Sequence, residues 1–190
     1  SNSRGDDWEP ISGDLTRSEE RIARPIMGAV QSWDNPWDIA AMSSYSTITS
    51  LAESVTDPGV VWAGTDDGIL QSTSDDGGTW NRRYVTELPG VPERAFVNDI
   101  KIDRYDPKKV YVCLDNHKEG DFKPYVYMTE DDGKSWKNIG KDLPYGTLTW
   151  RLVQDHISKD LLFLGTENGI YVSMNGGNDW KKLAGSPTIP

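Results

Sequence analysis

Cysteine occurs once, histidine twice and phenylalanine three times in this 190-residue chain, and no long hydrophobic run is present. A lone Cys113 forms no intrachain disulfide, so burial and hydrogen bonding must hold the fold. The thiol lies in the apolar run Val110–Leu114 and is expected to be buried and inert. Without about 18 consecutive apolar residues, a membrane-spanning helix is excluded. The N-terminal residues lack the apolar core of a signal peptide. Positive charge is also scarce: 20 Lys and Arg stand against 30 Asp and Glu, for a net charge of -10. That balance argues against duplex nucleic acid, which requires a basic stripe, and against an anionic membrane surface. It favours solubility and attracts cationic partners. Phosphate-cradling loops, nucleophile elbows and clustered zinc ligands are all missing. His117 and His156 lie far apart, without ligand-type spacing, so neither a metal nor a cofactor is expected.

What the chain has in abundance is tryptophan, proline and glycine, with 8, 11 and 18 copies. This favours many short strands joined by turns. Three segments align on a terminal tryptophan. The first carries Thr73, Asp75, Gly77 and Trp80; the second Thr129, Asp131, Gly133 and Trp136; the third Ser173, Asn175, Gly177 and Trp180. A degenerate copy at the start keeps Ser1, Gly5, Asp7 and Trp8, with Ser3 in place of Asp. Asp or Asn accepts hydrogen bonds from the turn backbone. Glycine supplies a positive φ. The hydroxyls cap further groups, and tryptophan packs beside the turn.

The segments upstream repeat as well. Residues 60–70 match residues 161–171 as an apolar strand, a Gly-containing turn and a second strand. The middle copy has Val110–Leu114 and Tyr125–Met128, with a longer loop between them. Another strand precedes each hairpin, and a fourth follows each tryptophan. Each unit therefore has four strands, A to D, with the repeated turn between C and D. The intervals between Trp80, Trp136 and Trp180 fit a propeller blade of about 40–50 residues with loop insertions. The expected fold is all-β: a partial β-propeller of four-stranded antiparallel blades. Residues 1–16 are expected to hold the last strand of a preceding blade, with Trp8 to Ile11 as that strand. Residues 17–47 form a D–A insertion, with a short helical turn at Arg17–Arg21. Blades follow at 48–88, 89–144 and 145–190, the second with a B–C loop insertion at 115–124. Propellers close with about four to eight blades. The chain is therefore expected to be a fragment, or one chain of an assembly, with the remaining blades as its partners.

These motifs resemble the Asp-box (BNR-repeat) superfamily, and within it the bacterial sortilin-like or VPS10-like proteins labelled glycosyl hydrolases. The resemblance rests on the repeated turns and on residues 8–16, 61–68, 121–127 and 162–173. It is weakest over 17–47. It implies an extracellular or cell-envelope protein with more blades, and no settled activity, because fold does not carry function.

Up-and-down topology puts A–B and C–D turns on one face and B–C and D–A connections on the other. The repeated turns then read as structural locks. The opposite face carries every long insertion, where function concentrates on a rigid scaffold. Ligand-binding candidates there are Trp33, Trp37, Arg94, Asp115, His117, Asp121 and Lys123; Tyr45, Glu93 and Phe122 lie in the same insertions. Trp33 and Trp37 suit stacking on sugar rings, or plugging the insertion onto the blades. Asp115, His117 and Asp121 suit metal or acid–base chemistry, or a solvated loop pinned by Phe122. Three functions are open: a binding scaffold for protein or glycan, part of a glycoside hydrolase completed by other blades, and a structural subunit. A hydrolase pairs carboxylates across a cleft; Asp34, Asp38, Asp115 and Asp121 are the candidates. The sialidase Arg-Ile-Pro signature is absent, since Arg24-Pro25-Ile26 runs in a different order.

Overall fold

The computed structural model describes residues 4–25, 29–32, 34 and 44–188. Trp33, Trp37 and Asp38 lie outside the described residues. Twelve strands make three four-stranded antiparallel sheets among the described residues. The first blade holds β1 (Ile48–Glu53), β2 (Val61–Thr65), β3 (Ile69–Thr73) and β4 (Asn81–Tyr84). The second holds β5 (Phe96–Ile102), β6 (Val110–Asn116), β7 (Asp121–Thr129) and β8 (Lys137–Asn138). The third holds β9 (Thr149–Gln154), β10 (Leu162–Thr166), β11 (Gly169–Ser173) and β12 (Lys181–Lys182). Each sheet runs in sequence order, the up-and-down pattern of a propeller blade.

Alternation sorts each strand's side chains between two faces. Trp62 and Leu70 of the first blade pack against Val97, Ile100, Val112 and Tyr127 of the second. Tyr111, Cys113, Val126 and Ile139 point the other way, against Leu152, Leu162 and Leu164 of the third. Cys113 is buried between blades, and burial pushes its thiol pKa up.

The repeated turns use one hydrogen-bond scheme. Thr73, Thr129 and Ser173 accept from the N–H groups of Gly77, Gly133 and Gly177 at 3.0, 2.9 and 2.8 Å. Asp75 and Asp131 accept from both the backbone and the hydroxyl of Thr79 and Ser135. In the third copy the side-chain polarity is reversed. Asn175 donates to Asp179 at 2.8 Å, so donor and acceptor exchange places and the bridge survives. The fourth residue of each turn donates to the A–B turn of its own blade: Asp76 to Gly59, Asp132 to Lys108 and Gly176 to Asp160. Asp76 and Asp132 stand at positive φ before their glycines, and Arg4 before Gly5 repeats this pair in the N-terminal copy.

The turns also dock each blade on its predecessor. Trp80 Nε1 donates to Ile11 O at 3.0 Å, and Trp180 Nε1 to Ile139 O at 2.7 Å. Ile11, Arg83, Ile139 and Leu183 each stand three residues after a motif tryptophan. At the middle interface Arg83 replaces the aliphatic residue. Its guanidinium lies 5.0 Å from the Trp62 ring and donates to Asp132 O at 2.8 Å. Trp136 instead meets Trp62 edge to face at 6.1 Å, and its indole N–H is buried without a partner among the described residues.

Gly133 has φ 78°, and an added Cβ would stand 2.7 Å from the Trp62 ring. Gly133→Ala is therefore expected to cost about 1–3 kcal/mol through overpacking, with added backbone strain, read as a lower urea midpoint. The turns also set an acid limit. The Thr79 backbone N–H holds the Asp75 pKa below the ordinary carboxylate range, helped by the Thr73 and Thr79 hydroxyls. The Ser135 side chain and backbone, with Thr129, hold Asp131 at about 2. Both depressed values stabilise the fold fully above about pH 4 and lose that contribution as pH falls toward about 2. Asp99, whose pKa burial raises, acts in the opposite sense. The urea midpoint should fall over this interval, and Asp131→Asn should flatten the fall.

Four expectations need correction. Residues 8–11 form no strand, because no neighbouring strand pairs with them, although Ile11 still receives the Trp80 bond. The supposed loop at 115–124 is mostly a lengthened β6–β7 hairpin; Asn116 pairs with Asp121 across a short 3-10 turn at His117–Glu119. Phe122 does not pin it, being 41% exposed. The 3-10 turn near the N-terminus covers Arg21–Ala23, beginning where the expected one ended.

Candidate functional site

The face opposite the repeated turns holds a cavity of about 740 Å³. Arg21, Arg24, Tyr45, Arg94, Phe96 and Lys118 supply its cationic and aromatic lining. They come from the 17–47 insertion, the D–A connection before β5, the first residue of β5 and the β6–β7 hairpin.

Several contacts assemble this wall. Arg17 Nε donates to Asp67 O at 2.7 Å, and Arg17 N to Asp67 Oδ2 at 2.8 Å, tying the insertion to the first B–C turn. Ser46 Oγ bonds both the N–H and the carbonyl of Glu19. Arg94 Nη1 donates to Glu19 Oε2 at 2.6 Å, joining the D–A connection to the insertion. Burial works against the Arg94 charge, yet its hydrogen bonds to Glu19 and Tyr45 carry its pKa above the ordinary value. The Arg21 and Arg24 guanidiniums lie 5.7 and 5.8 Å from the Tyr45 ring, within cation–π range. Burial raises the Tyr45 pKa, with Arg24 opposing, so its hydroxyl remains a neutral donor. Lys118 Nζ stands 4.9 Å from the Phe96 ring.

Carboxylates in the lining are mostly tied to neighbours. Asp66 accepts from the Thr47 N–H and hydroxyl at 2.8 and 3.0 Å. Asp115, 2% exposed, accepts from Asn98 Nδ2 at 2.8 Å and from the His117 ring Nδ1. The His117 ring then packs edge-on to Trp150 at 6.0 Å. Arg21, Arg24 and Lys118 bring positive charge to the lining, where the exposed Glu119 stands beside Lys118.

Of the sequence candidates, Arg94 and Asp115 line this cavity, and His117 reaches it through Asp115. Asp121 lies along the hairpin, where it accepts from the Tyr125 hydroxyl at 2.5 Å. That bond and burial, the larger cause, raise the Tyr125 pKa. Lys123 is exposed, its N–H bonded to Asp121 Oδ1 at 3.2 Å. Asp34 is exposed and receives no place in the cavity lining. The sequence reading missed Arg21, Arg24 and Lys118. Arg17, Arg21 and Arg24 at helical spacing in so acidic a chain were the available signal.

A second cavity, about 470 Å³, opens on the turn face between the first two blades. Asp57, Glu130, Asp131 and Asp132 line it together with Lys108 and Lys134. Among the described residues, no cluster of three or more His, Cys, Asp or Glu side chains is placed to hold a metal. Nor is any described helix long and apolar enough to cross a membrane.

No protein-family model matches the chain, and no curated protein does. Solved structures do. The GH74 xyloglucanase from Xanthomonas campestris matches with a TM-score of 0.57 at 15% identity, over 74% of this chain and 24% of that one. YCF48 bound to D1 peptide matches at 0.54 and 19% identity, over 71% and 40%. The Cps50 (Swd1) β-propeller domain of Myceliophteria thermophila matches at 0.51 and 15% identity, over 76% and 44%. The chain thus spans less than half the length of each, and the likeness at these identities is one of fold: a β-propeller.

Proposed function

We propose that this chain is a binding module of an extracellular or cell-envelope protein of the Asp-box class, recognising a protein or glycan ligand through its B–C and D–A loop face. The observation that carries this reading is the grouping of Arg21, Arg24 and Lys118 in the cavity lining, beside the Tyr45 and Phe96 rings, in a chain of net charge -10. Guanidinium groups form strong charge-assisted bonds to anionic oxygens, and aromatic rings add sequence-tolerant contact area. YCF48, a propeller of similar fold, is described bound to a peptide, which supports a binding role for such a scaffold. The engaged state of Asp115 supports a positioning role for it, because its oxygens hold Asn98 and His117.

The test is a binding panel of an oligoglutamate peptide, a neutral peptide, a uronic-acid oligosaccharide and a neutral oligosaccharide, read at two salt concentrations. Acidic probes should be retained without turnover, and added salt should weaken them. Release of reducing sugar that Asp115→Ala or Asp34→Ala abolishes would replace this reading with a hydrolase. Indifference to all four probes would also overturn it.

A further inference from the structure

We propose that the outward face of the third blade is a docking surface for a further four-stranded blade carrying the same turn motif. Two interfaces inside the molecule already show how such a blade seats. Trp62, Tyr111 and Phe163 occupy one position in the second strand of each blade, opposite Ser72, Met128 and Val172. Trp62 and Tyr111 are 0% and 1% exposed beneath the next blade. Phe163 stands on the open side, in a cross-strand row with Val153 and Val172. Val153 is 51% exposed. Beside this row Leu183, 47% exposed, stands where Ile11 and Ile139 stand. Those two residues each meet the motif glycine of the following turn and accept its tryptophan N–H.

The inner strands add a polar requirement. Ser50 and Asp99 accept from the N–H groups of Ile100 and Leu152 in the next blade, at 2.8 and 2.9 Å. The β9 residue at that position is Arg151, 71% exposed at its side chain. A guanidinium donates and cannot accept. The incoming blade therefore brings an acidic or carbonyl acceptor on its inner strand, together with a glycine over Leu183 and an indole donor to its carbonyl.

A second copy of the chain fits this face less well. The motif glycines and tryptophans of its three blades are engaged internally. Its remaining turn, ending at the 79% exposed Trp8, belongs to residues that form no sheet of their own. That turn would cover Leu183 and leave the Val153–Phe163–Val172 row open. A complete blade covers both.

The test extends the full chain after Pro190 with a second copy of residues 145–188 that carries Arg151→Asp in the appended copy, which supplies the acceptor on the incoming inner strand. Stability in such arrays sums repeat and neighbour-interface terms. The extension should raise the melting midpoint by about 4 °C or more. Phe163→Glu with Leu183→Glu in the original blade should erase that gain while leaving the unextended chain within about 1 °C. An unchanged midpoint on extension, or a gain that survives the two glutamates, would overturn the proposal. So would concentration-dependent mass of the unextended chain that Trp8→Ala abolishes, which would assign the face to a second copy. Ligand binding enters none of these readouts, so they stand apart from the loop-face reading.

Discussion

Replacing Trp62 with alanine is expected to cost about 3–5 kcal/mol, the range for truncating a large buried aromatic. For a chain of this size the melting midpoint should then fall by roughly 10 °C. The side chain is fully buried at the first blade interface. It packs with Leu70, Val97 and Val112, meets Trp136 edge to face and receives the Arg83 guanidinium on its ring. Truncation opens a cavity at the place where Gly133 makes its closest approach. Trp62→Phe places at this position the residue that the third blade uses there, and should recover most of the loss. Equal destabilisation by alanine and phenylalanine would show that the indole geometry, and not the apolar volume, holds the interface.

The second large effect concerns binding. Arg21→Ala combined with Arg24→Ala should weaken an acidic ligand by about a hundredfold, because each hydrogen bond to a charged group contributes about 1.5–3 kcal/mol. The same pair should barely move the melting midpoint. Neither guanidinium is fully buried, and each lies within cation–π range of the Tyr45 ring. Arg94→Ala should behave differently. Its ion pair with Glu19 fastens the insertion to the D–A connection, so its loss should lower both affinity and stability. Titration by isothermal calorimetry, with melting curves alongside, separates the two behaviours.

The blades were legible in the sequence because the repeated turn tolerates few residue types at each position. Thr or Ser must receive the glycine N–H, Asp or Asn must bridge to the seventh residue, and glycine must pass close to the preceding blade. Such constraints leave a pattern in sequence. The joints between blades left none. Ile11, Arg83, Ile139 and Leu183 share one place, three residues after a motif tryptophan, but with two unlike chemistries, so no residue type marks it as a joint. The inner strands hide a further joint. Each carries a β-bulge, at Thr49, Asn98 and Trp150. The first two turn their side chains onto the Val97 and Thr149 carbonyls of the next blade, at 2.7 and 2.8 Å. The loop-face cavity was hidden for another reason. Its walls come from three connections far apart in sequence, and the 115–124 segment read as a loop because its Asp, Asn, Lys and Gly residues mask the strand pairing seen in β6 and β7. The Asp115–His117 contact was foreseeable as a cluster, but not as an inward-facing brace.

The claim at the centre of this account is that the loop face binds and the turn face locks. It is tested most directly by comparing oligoglutamate affinity in two charge-matched variants, Arg21→Ala/Arg24→Ala on the loop face and Lys108→Ala/Lys134→Ala on the turn face. The first should lose about a hundredfold in affinity and the second should match the parent protein. Loss confined to the Lys108/Lys134 variant, with the Arg21/Arg24 variant unaffected, would contradict the account.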